Sequence, residues 1–136
     1  MRSLTADTPD DWDRRVRDTG AAHLLQSAAW GDLKSRWGWQ VHRLAWEAGD
    51  RTTAVAQVLT RRVARSPFTV GYVPKGPLVG EATDAGTWAG VVDDLAAWAR
   101  RAGLTLLKID PDVPAGAQAV VAAWSARGWR RSDAPV

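Results

Sequence analysis

Two kinds of apolar periodicity alternate along this chain, and their order constrains the fold more than any other feature. From Asp84 to Ala102, apolar side chains recur at steps of three and four residues, which is typical of an amphipathic helix. Gly103 ends this helix, and the short apolar run Leu104–Ile109 then predicts a buried strand. A helix followed directly by a buried strand indicates a sheet that is covered by helices.

The other segments complete an order of two helices, three strands, a helix, a strand and a helix. Their predicted ranges are 9–20 and 27–38 for the first helices, 39–47, 52–63 and 68–73 for the strands, and 115–127 for the last helix. Thr8 and Ser27 stand where helix N-caps are expected, and Trp129 is expected to begin a further strand. This order predicts an α/β (α+β) fold, a mixed sheet flanked by helices, in one domain over residues 1–136.

The residue types that the chain lacks exclude several kinds of site. There is no cysteine, which excludes a disulfide framework, a thiolate zinc site, an iron–sulfur cluster and a cysteine nucleophile. The two histidines, His23 and His42, are too few for a histidine-rich metal site. No apolar run reaches the ~18 residues of a membrane-spanning helix, and the first residues lack the apolar segment of a signal peptide. We therefore expect no metal, no cofactor and a cytoplasmic location.

Arginine dominates the basic residues, but its pattern does not favour nucleic-acid binding. It accounts for 15 of the 18 basic residues, and the net charge is +3. Asparagine is absent and isoleucine occurs once, a composition that indicates a GC-rich genome and explains arginine in place of lysine. Paired arginines occur at Arg14–Arg15, Arg61–Arg62, Arg100–Arg101 and Arg130–Arg131. They fall on different predicted elements, so a nucleic-acid-binding domain, which usually carries one basic stripe, is the weaker hypothesis.

Nine tryptophans are an unusual number for a chain of 136 residues. Tryptophan usually anchors a core or lines a recognition surface, and most of the nine are expected in the core. In the second predicted helix, Trp30, Leu33 and Trp37 share one apolar face.

Two segments place lysine beside aromatic residues. Lys34 follows Trp30 by one helical turn at the edge of the apolar face, and this spacing favours a solvated lysine whose aliphatic stem covers an indole ring. After the third strand, Tyr72 and Lys75 stand at a Pro-Lys-Gly-Pro corner, residues 74–77, whose glycine is expected to adopt a conformation closed to other residues. Loops held by a scaffold often carry binding residues, but a structural turn with an exposed lysine also explains this pattern.

Two further segments are interpreted without a ligand. Lys108-Ile109-Asp110-Pro111 ends the short strand, and its aspartate is expected to start a turn. Arg17–Ala22 matches the text pattern of an acetyl-CoA pyrophosphate loop, but such a loop follows a strand, whereas here a helix precedes it. A simple acetyltransferase is therefore a weak alternative. No Ser/His/Asp set, acid pair or metal cluster has the spacing of a catalytic site.

Four segments together resemble the FemABX family, the bacterial peptidyltransferases that build peptidoglycan bridges. They are Gln26-Ser27-x-x-Trp30-x-x-x-Lys34, Gly38-Trp39, Tyr72-x-Pro74-Lys75-Gly76-Pro77 and Lys108-Ile109-Asp110-Pro111. Their order and spacing carry the resemblance, which runs from about His23 to Val136. Family members have two acetyltransferase-like, GNAT-type subdomains. The resemblance therefore implies a GNAT-like fold in which residues 1–136 correspond to the first subdomain, without its closing segment.

The resemblance also implies a function and a site. Family members transfer an amino acid from aminoacyl-tRNA to a UDP- or lipid-linked muramyl-peptide precursor, with no cofactor. They rely on positioning and charge stabilisation, which is plausible for an activated ester, and no catalytic residue is assigned here. By resemblance, Lys34 contacts the phosphates of the precursor beside Trp30, Tyr72 lines the same cleft, and Lys75 supplies the basic residue of the loop.

Two alternatives use the same residues. The chain could hold the precursor without transferring anything, or it could be the partner of a second protein half that completes the cleft. Contact with a membrane is expected to be peripheral at most, at the inner face, through arginines and exposed tryptophan.

Overall fold

The computed structural model describes residues 1–4, 8–80, 85–113 and 118–132, which form a mixed six-stranded sheet between two layers of helices. The strands are β1 (Arg2–Ser3), β2 (Gln40–Ala48), β3 (Arg51–Arg62), β4 (Thr69–Val73), β5 (Leu78–Val79) and β6 (Leu106–Ile109). The helices are α1 (Pro9–Asp18), α2 (Ala28–Ser35), α3 (Ala85–Arg101) and α4 (Gln118–Ala126), with a 3₁₀ turn at Leu24–Gln26. This architecture confirms the predicted fold class. Among the described helices, none combines the length and the apolar character needed to cross a membrane.

The order and direction of the strands place the carboxyl ends of two strands side by side. Along the sheet the order is β1-β2-β3-β4-β6, and β5 pairs with β3 beyond the end of β4. Every described pair is antiparallel except β4 and β6, which run parallel with Val73 opposite Ile109. Parallel neighbours require a crossover, and α3 lies within it. The carboxyl ends of β4 and β6 are therefore adjacent.

Two apolar clusters, one on each face of the sheet, hold the layers together. On one face, Trp12 and Val16 of α1 and Ala28 of α2 pack against Ala45 and Val55. The helices α3 and α4 cover the other face, in a cluster that includes Leu44, Val58, Val73, Trp88, Val91, Leu95 and Val120. Neighbouring residues of a strand point to opposite faces, so Leu44 and Ala45 serve different cores.

The tryptophans contribute to both cores. Trp12, Trp46 and Trp88 are buried. Trp98 and Trp124 are partly buried and pack against the cluster under α3 and α4. Five of the nine tryptophans thus help to build the interior, as the sequence predicted.

The strand predicted at Leu104–Ile109 begins at Leu106, and it is not buried. β6 forms an edge of the described sheet, and Leu106 keeps 59% of its surface exposed. An apolar run cannot distinguish a central strand from an edge strand, because that depends on which strands pair with it. The prediction of a strand that begins at Trp129 is also wrong, since the described residues after α4 contain no strand. The predicted starts of the last two helices, Asp84 and Ala115, lie outside the described residues.

The apolar face predicted on α2 is covered only at the beginning of the helix. Ala28 is buried, whereas Leu33 and Trp37 are 44% and 70% exposed. α2 ends at Ser35, so Trp37 lies beyond the helix and no longer follows its apolar face. The sequence also gave no sign of β1 and β5, because strands of two residues show no alternation.

The side chain of Gln26 takes the place of a missing strand segment between β4 and β5. Both strands pair with β3, but the loop 74–77 between them leaves the ladder near Gln57. The buried Gln26 carboxamide accepts a hydrogen bond from the Gln57 N–H at 2.7 Å. It donates to the Pro74 carbonyl at 2.6 Å and to the Gln57 carbonyl at 3.4 Å. Because buried backbone groups are costly to leave unpaired, Gln26 fixes the loop to the sheet.

Gly76 is required for a reason other than the predicted one. The residue of this loop with a positive φ is Lys75, at 50°, and not the glycine. A Cβ on Gly76 would lie 2.8 Å from Val73 Cγ1 and 2.9 Å from Gln26 Cδ. Gly76 therefore serves close packing against the Gln26 carboxamide. The peptide bond between Gly76 and Pro77 is cis.

Replacing Gln26 with alanine should strongly destabilise the fold. Gln26→Ala leaves the Gln57 N–H and the Pro74 carbonyl buried without these partners, and each such group costs about 1–3 kcal/mol. We expect the free energy of unfolding, measured by urea denaturation, to fall by about 2–5 kcal/mol. Gln40→Ala, at an exposed glutamine of β2, should change it by less than about 0.5 kcal/mol. A similarly small effect of both substitutions would contradict the role of Gln26.

Candidate functional site

The carboxyl ends of β4 and β6 bring Tyr72, Lys75 and Asp110 together. Tyr72 is the penultimate residue of β4, Lys75 follows in the loop, and Asp110 comes directly after β6. The Asp110 N–H donates to the Gly76 carbonyl at 3.1 Å, which ties the end of β6 to the loop. Ligands of open α/β sheets commonly bind at the carboxyl ends of strands, so this edge is the centre of the candidate site.

Lys75 faces two carboxylates. Its Nζ lies 3.6 Å from Asp112 Oδ1 and 3.9 Å from Asp110 Oδ2. All three side chains are at least partly exposed, so these ion pairs contribute little to stability. A loosely paired cation at the mouth of a loop can exchange its carboxylates for a phosphate. Asp110, which the sequence predicted only to start a turn, is thus also a charged member of the site.

Tyr72 is held in its neutral form. Partial burial of the phenol raises the pKa of Tyr72, and the negative charge of Asp110 raises it further. A neutral phenol can donate a hydrogen bond to an anionic ligand, which a phenolate cannot do. Tyr72 is therefore suited to contact an anion at this edge of the sheet.

Trp30 and Lys34 form a second pair on α2. The Trp30 N–H donates to Ser27 Oγ at 3.2 Å, so Ser27 caps the helix as predicted, and Lys34 lies in its last turn. Lys34 Nζ lies 4.9 Å from the centre of the Trp30 ring, a cation–π contact. Among the described residues, no carboxylate pairs with Lys34. Its charge is therefore not neutralised by the surrounding described residues.

The helix that carries Trp30 and Lys34 covers the face of the sheet to which Tyr72 points. The helix α2 packs over β3 at Gly31, where a Cβ would lie 2.5 Å from Gln57 Oε1. Gln57 and Leu59 alternate with Val58 along β3, so both point to the side that α2 covers. Leu59 pairs directly with Tyr72. Tyr72 therefore points to that side as well, on the strand next to the one that α2 covers.

Lys108 belongs to this site, although the sequence analysis placed it in a motif without assigning it a role in the site. It lies directly opposite Tyr72 on β6 and shares its face. Lys34, Lys75 and Lys108 are the only lysines of a chain that has 15 arginines. All three lie on one face of the sheet or at the ends of its strands. The persistence of lysine in an arginine-biased composition is the sequence signal that could have identified Lys108.

A cleft of about 590 Å³ opens on the outer side of β6, between this strand, α4 and residues 129–132. Its walls include Trp124 and Trp129. None of the four site residues predicted from the sequence lines it. Lys108 and Asp110 line the cleft, so it adjoins the candidate site.

The arrangement suits the binding of a phosphorylated ligand. Lysines bind phosphate as point charges, and a neutral phenol adds a hydrogen-bond donor. In the part of the chain that the structure describes, no three His, Asp or Glu side chains come together as metal ligands. The described site brings together ammonium groups, a phenol and the carboxylates of Asp110 and Asp112.

A model of the FemAB family matches residues 7–120 of the chain. The chain belongs to the FemAB family. The crystal structure of FemX superposes on 94% of this FemAB chain with a TM-score of 0.76 and 26% sequence identity. The lipid II:glycine glycyltransferase of Staphylococcus aureus is 29% identical over 106 residues, which are 78% of the chain. These matches confirm the FemABX resemblance predicted from the four motifs.

Other solved structures, an acetyltransferase among them, share the fold at lower sequence identity. An acetyltransferase of Trypanosoma brucei has a TM-score of 0.61 at 17% identity, and the match covers 99% of this chain and 94% of the acetyltransferase chain. The protein TTHA1254 of Thermus thermophilus has a TM-score of 0.58 at 21% identity, and the match covers 100% of this chain and 94% of TTHA1254. Together with FemX, these structures confirm the predicted GNAT-like fold.

This FemAB chain spans only part of its longer relatives. It covers 25% of the length of the glycyltransferase and 32% of FemX. The family and the fold are therefore shared over a minor part of those proteins.

The single tyrosine of this FemAB chain allows the site to be titrated directly. Since burial and Asp110 both raise the pKa of Tyr72, Asp110→Asn should lower it, though not to the ordinary value, because the burial persists. The phenolate absorbance measures this pKa without interference from another tyrosine. Asp112→Asn, which removes a nearby carboxylate that is not a cause of the shift, is the matched control. An unchanged pKa in Asp110→Asn, or an equal fall in both variants, would contradict this geometry.

Proposed function

We propose that this chain is the precursor-binding part of an aminoacyltransferase of peptidoglycan bridge synthesis. It belongs to the FemAB family, and a relative matched over 78% of the chain is named for glycyl transfer to lipid II. The observation that carries the proposal is that all three lysines and the one tyrosine lie either on one face of the sheet or at the carboxyl ends of its strands. The proposed reaction moves an amino acid from aminoacyl-tRNA to a muramyl-peptide precursor.

The diphosphate of the precursor is the proposed ligand of Lys34. UDP-linked and lipid-linked precursors both carry a diphosphate, so the same contact serves either acceptor. The Trp30 ring keeps the Lys34 ammonium on the surface of α2, where an anion can reach it. Tyr72 donates a further hydrogen bond from its neutral phenol, and Lys75 exchanges its carboxylate partners for a ligand oxygen.

Aminoacyl transfer requires little from the protein beyond positioning. The aminoacyl ester is already activated, and the attacking group is an amine of the stem peptide. The amine nitrogen forms an amide bond with the aminoacyl carbonyl carbon, the ester bond to the tRNA ribose breaks, and a proton passes to the departing ribose oxygen. Holding the two reactants together supplies much of the rate, and fixed positive charge near the carbonyl oxygen stabilises the intermediate.

We further propose that residues 1–136 form one GNAT-like subdomain, equivalent to the first half of a two-subdomain enzyme. The chain covers 25% and 32% of the matched relatives, which are therefore long enough to contain a second half. A second half would complete the cleft and contact the aminoacyl-tRNA. The proposed location is the cytoplasm, at the inner face of the membrane when the acceptor is lipid-linked.

Calorimetric titration of the purified chain with a UDP-linked muramyl pentapeptide tests the binding role. Lys34→Ala should weaken the affinity about tenfold or more, since a hydrogen bond to a charged group contributes roughly 1.5–3 kcal/mol. Arg51→Ala removes an exposed cation at the far end of β3 and should leave the affinity unchanged. Unchanged affinity in Lys34→Ala, or equal weakening in both variants, would contradict the assigned site.

A transfer assay separates catalysis from binding alone. The chain is mixed with labelled aminoacyl-tRNA and the same precursor, and the amide-linked product is measured. Product formation that Lys34→Ala reduces supports the transferase. Binding that Lys34→Ala weakens, without any product, would identify a binding module or partner subunit instead. Absence of binding by a chain that circular dichroism shows to be folded would contradict the precursor-binding role.

A further inference from the structure

Three connections of the described chain meet at one end of the sheet: those from α2 to β2, from β3 to β4 and from α3 to β6. Arg62 at the end of β3 pairs with Thr69 at the start of β4. The Thr105 N–H donates to the Thr69 carbonyl at 2.8 Å, which joins the segment after α3 to the same corner. The Arg61 guanidinium lies 5.4 Å from the centre of the Trp39 ring, which joins the segment after α2.

This end of the molecule, called here the basic end, is defined by two sets of exposed residues. Its cations are Arg36, Arg61, Arg62, Arg65, Arg100 and Arg101. Its apolar side chains are Leu33, Trp37, Val63, Phe68 and Leu106. Five of the eight large hydrophobic side chains exposed in the described residues thus lie at one end. Scattered exposed hydrophobics are ordinary, but a cluster of them indicates an interaction surface.

The positive charge of the basic end is not compensated locally. Among the described residues, none of its six arginines forms an ion pair. Glu47 and Asp50 lie at the β2–β3 turn, which is the opposite end of the sheet. The carboxylate of α2, Asp32, faces Arg43 at 3.5 Å. The basic end therefore presents a positive, partly apolar surface that complements an anionic one.

We propose that the basic end docks this chain on a membrane surface that carries anionic lipid headgroups. The arginines contact lipid phosphates, and each basic residue near such a surface adds to the attraction. Trp37 and Phe68 insert at the boundary between headgroups and acyl chains, a region that tryptophan favours. Charge and apolar insertion act together, as reversible membrane binding of a folded domain requires.

The mixture of side chains favours a membrane over a nucleic acid. Nucleic-acid surfaces combine cations with aromatic rings on which bases stack. Here aliphatic Leu33, Val63 and Leu106 make up most of the apolar set, and they offer no stacking platform. Trp39 lies in the same region, but the Arg61 guanidinium lies over one face of its ring, so that face is not open to a stacking base. Trp37, Val63 and Phe68 belong to connections between elements, and Leu33 and Leu106 lie near the ends of α2 and β6, which suits contact with a flat surface.

Docking in this orientation has a consequence for the candidate site. The Trp37 N–H donates to the Lys34 carbonyl at 2.9 Å, so Lys34 lies within one turn of the inserted tryptophan. Lys34 would then face the level at which the diphosphate of a lipid-linked precursor lies. This consequence rests on the proposed function, whereas the docking itself does not, and its test needs no precursor.

Co-sedimentation with vesicles tests the contribution of charge. We expect binding to vesicles of phosphatidylglycerol and phosphatidylcholine, much less to phosphatidylcholine alone, and weakening as salt is added. The double variant Arg36→Glu/Arg65→Glu should reduce partitioning by at least about fivefold for each arginine. Arg17→Glu/Arg51→Glu changes the net charge equally at exposed positions outside the basic end and should bind nearly as well as the unsubstituted chain.

Vesicles with brominated acyl chains test the apolar insertion. Bromine quenches tryptophan fluorescence at short range, so the unsubstituted chain should be quenched and Trp37→Ser/Phe68→Ser much less so. Leu24→Ser, which removes a side chain that is 72% exposed outside the basic end, is the control and should be quenched normally. Trp37 and Phe68 are 70% and 53% exposed, so the variants should keep the circular dichroism spectrum of the folded chain.

Three results would overturn the proposal. The first is absence of binding to the anionic vesicles. The second is equal weakening by the two arginine double variants. The third is quenching that persists in Trp37→Ser/Phe68→Ser. Binding to tRNA that Arg36→Glu/Arg65→Glu weakens, in a chain that ignores vesicles, would assign the surface to RNA instead.

Discussion

The carboxamide of Gln26 is the contact on which the functional side of this fold depends. β3 is continuous, but the strand beside it breaks into β4 and β5, and the loop between them leaves the ladder. A broken ladder exposes buried backbone donors and acceptors, which must find partners. A carboxamide has both a donor and an acceptor, so it can pair with them as a peptide group would. The loop that carries Lys75 is thus positioned by a side chain that lies 48 residues earlier than Pro74.

Charge is divided between two regions, and α2 connects them. The three lysines lie on one face of the sheet or at the carboxyl ends of its strands, where a compact ammonium can bind phosphate as a point charge. The arginines of the basic end lie at the end of β3, in the loop after it and at the ends of helices, where permanent charge suits a surface of many phosphates. Lys34 lies in the last turn of α2, and Trp37 lies in the connection from α2 to β2. A ligand of the site and a surface at the basic end would therefore both contact the short segment 34–37.

Most elements of the fold were predictable because their signals are local. The N-caps Thr8 and Ser27 accept the backbone hydrogen bonds that their positions predicted, and apolar periodicity located the helices and the long strands. The errors concern properties that a neighbour decides. Leu106 is exposed because β6 lies at an edge of the described sheet, and Gly76 is needed because the Gln26 side chain approaches it. The spacing of nearby residues predicts neither the exposure of Leu106 nor the close contact at Gly76.

The sequence by itself determined the order of the main helices and longer strands and the two pairs of candidate residues, because each depends on patterns within a few consecutive residues. It also determined the family, through the order and spacing of four motifs between Gln26 and Pro111. Only the tertiary structure decided that α2 covers the face to which Tyr72 points and that Lys108 and Asp110 belong with Tyr72 and Lys75. It also decided that three separate connections form one basic end. The physical reason is that strand register and crossover, not local spacing, determine which distant residues become neighbours.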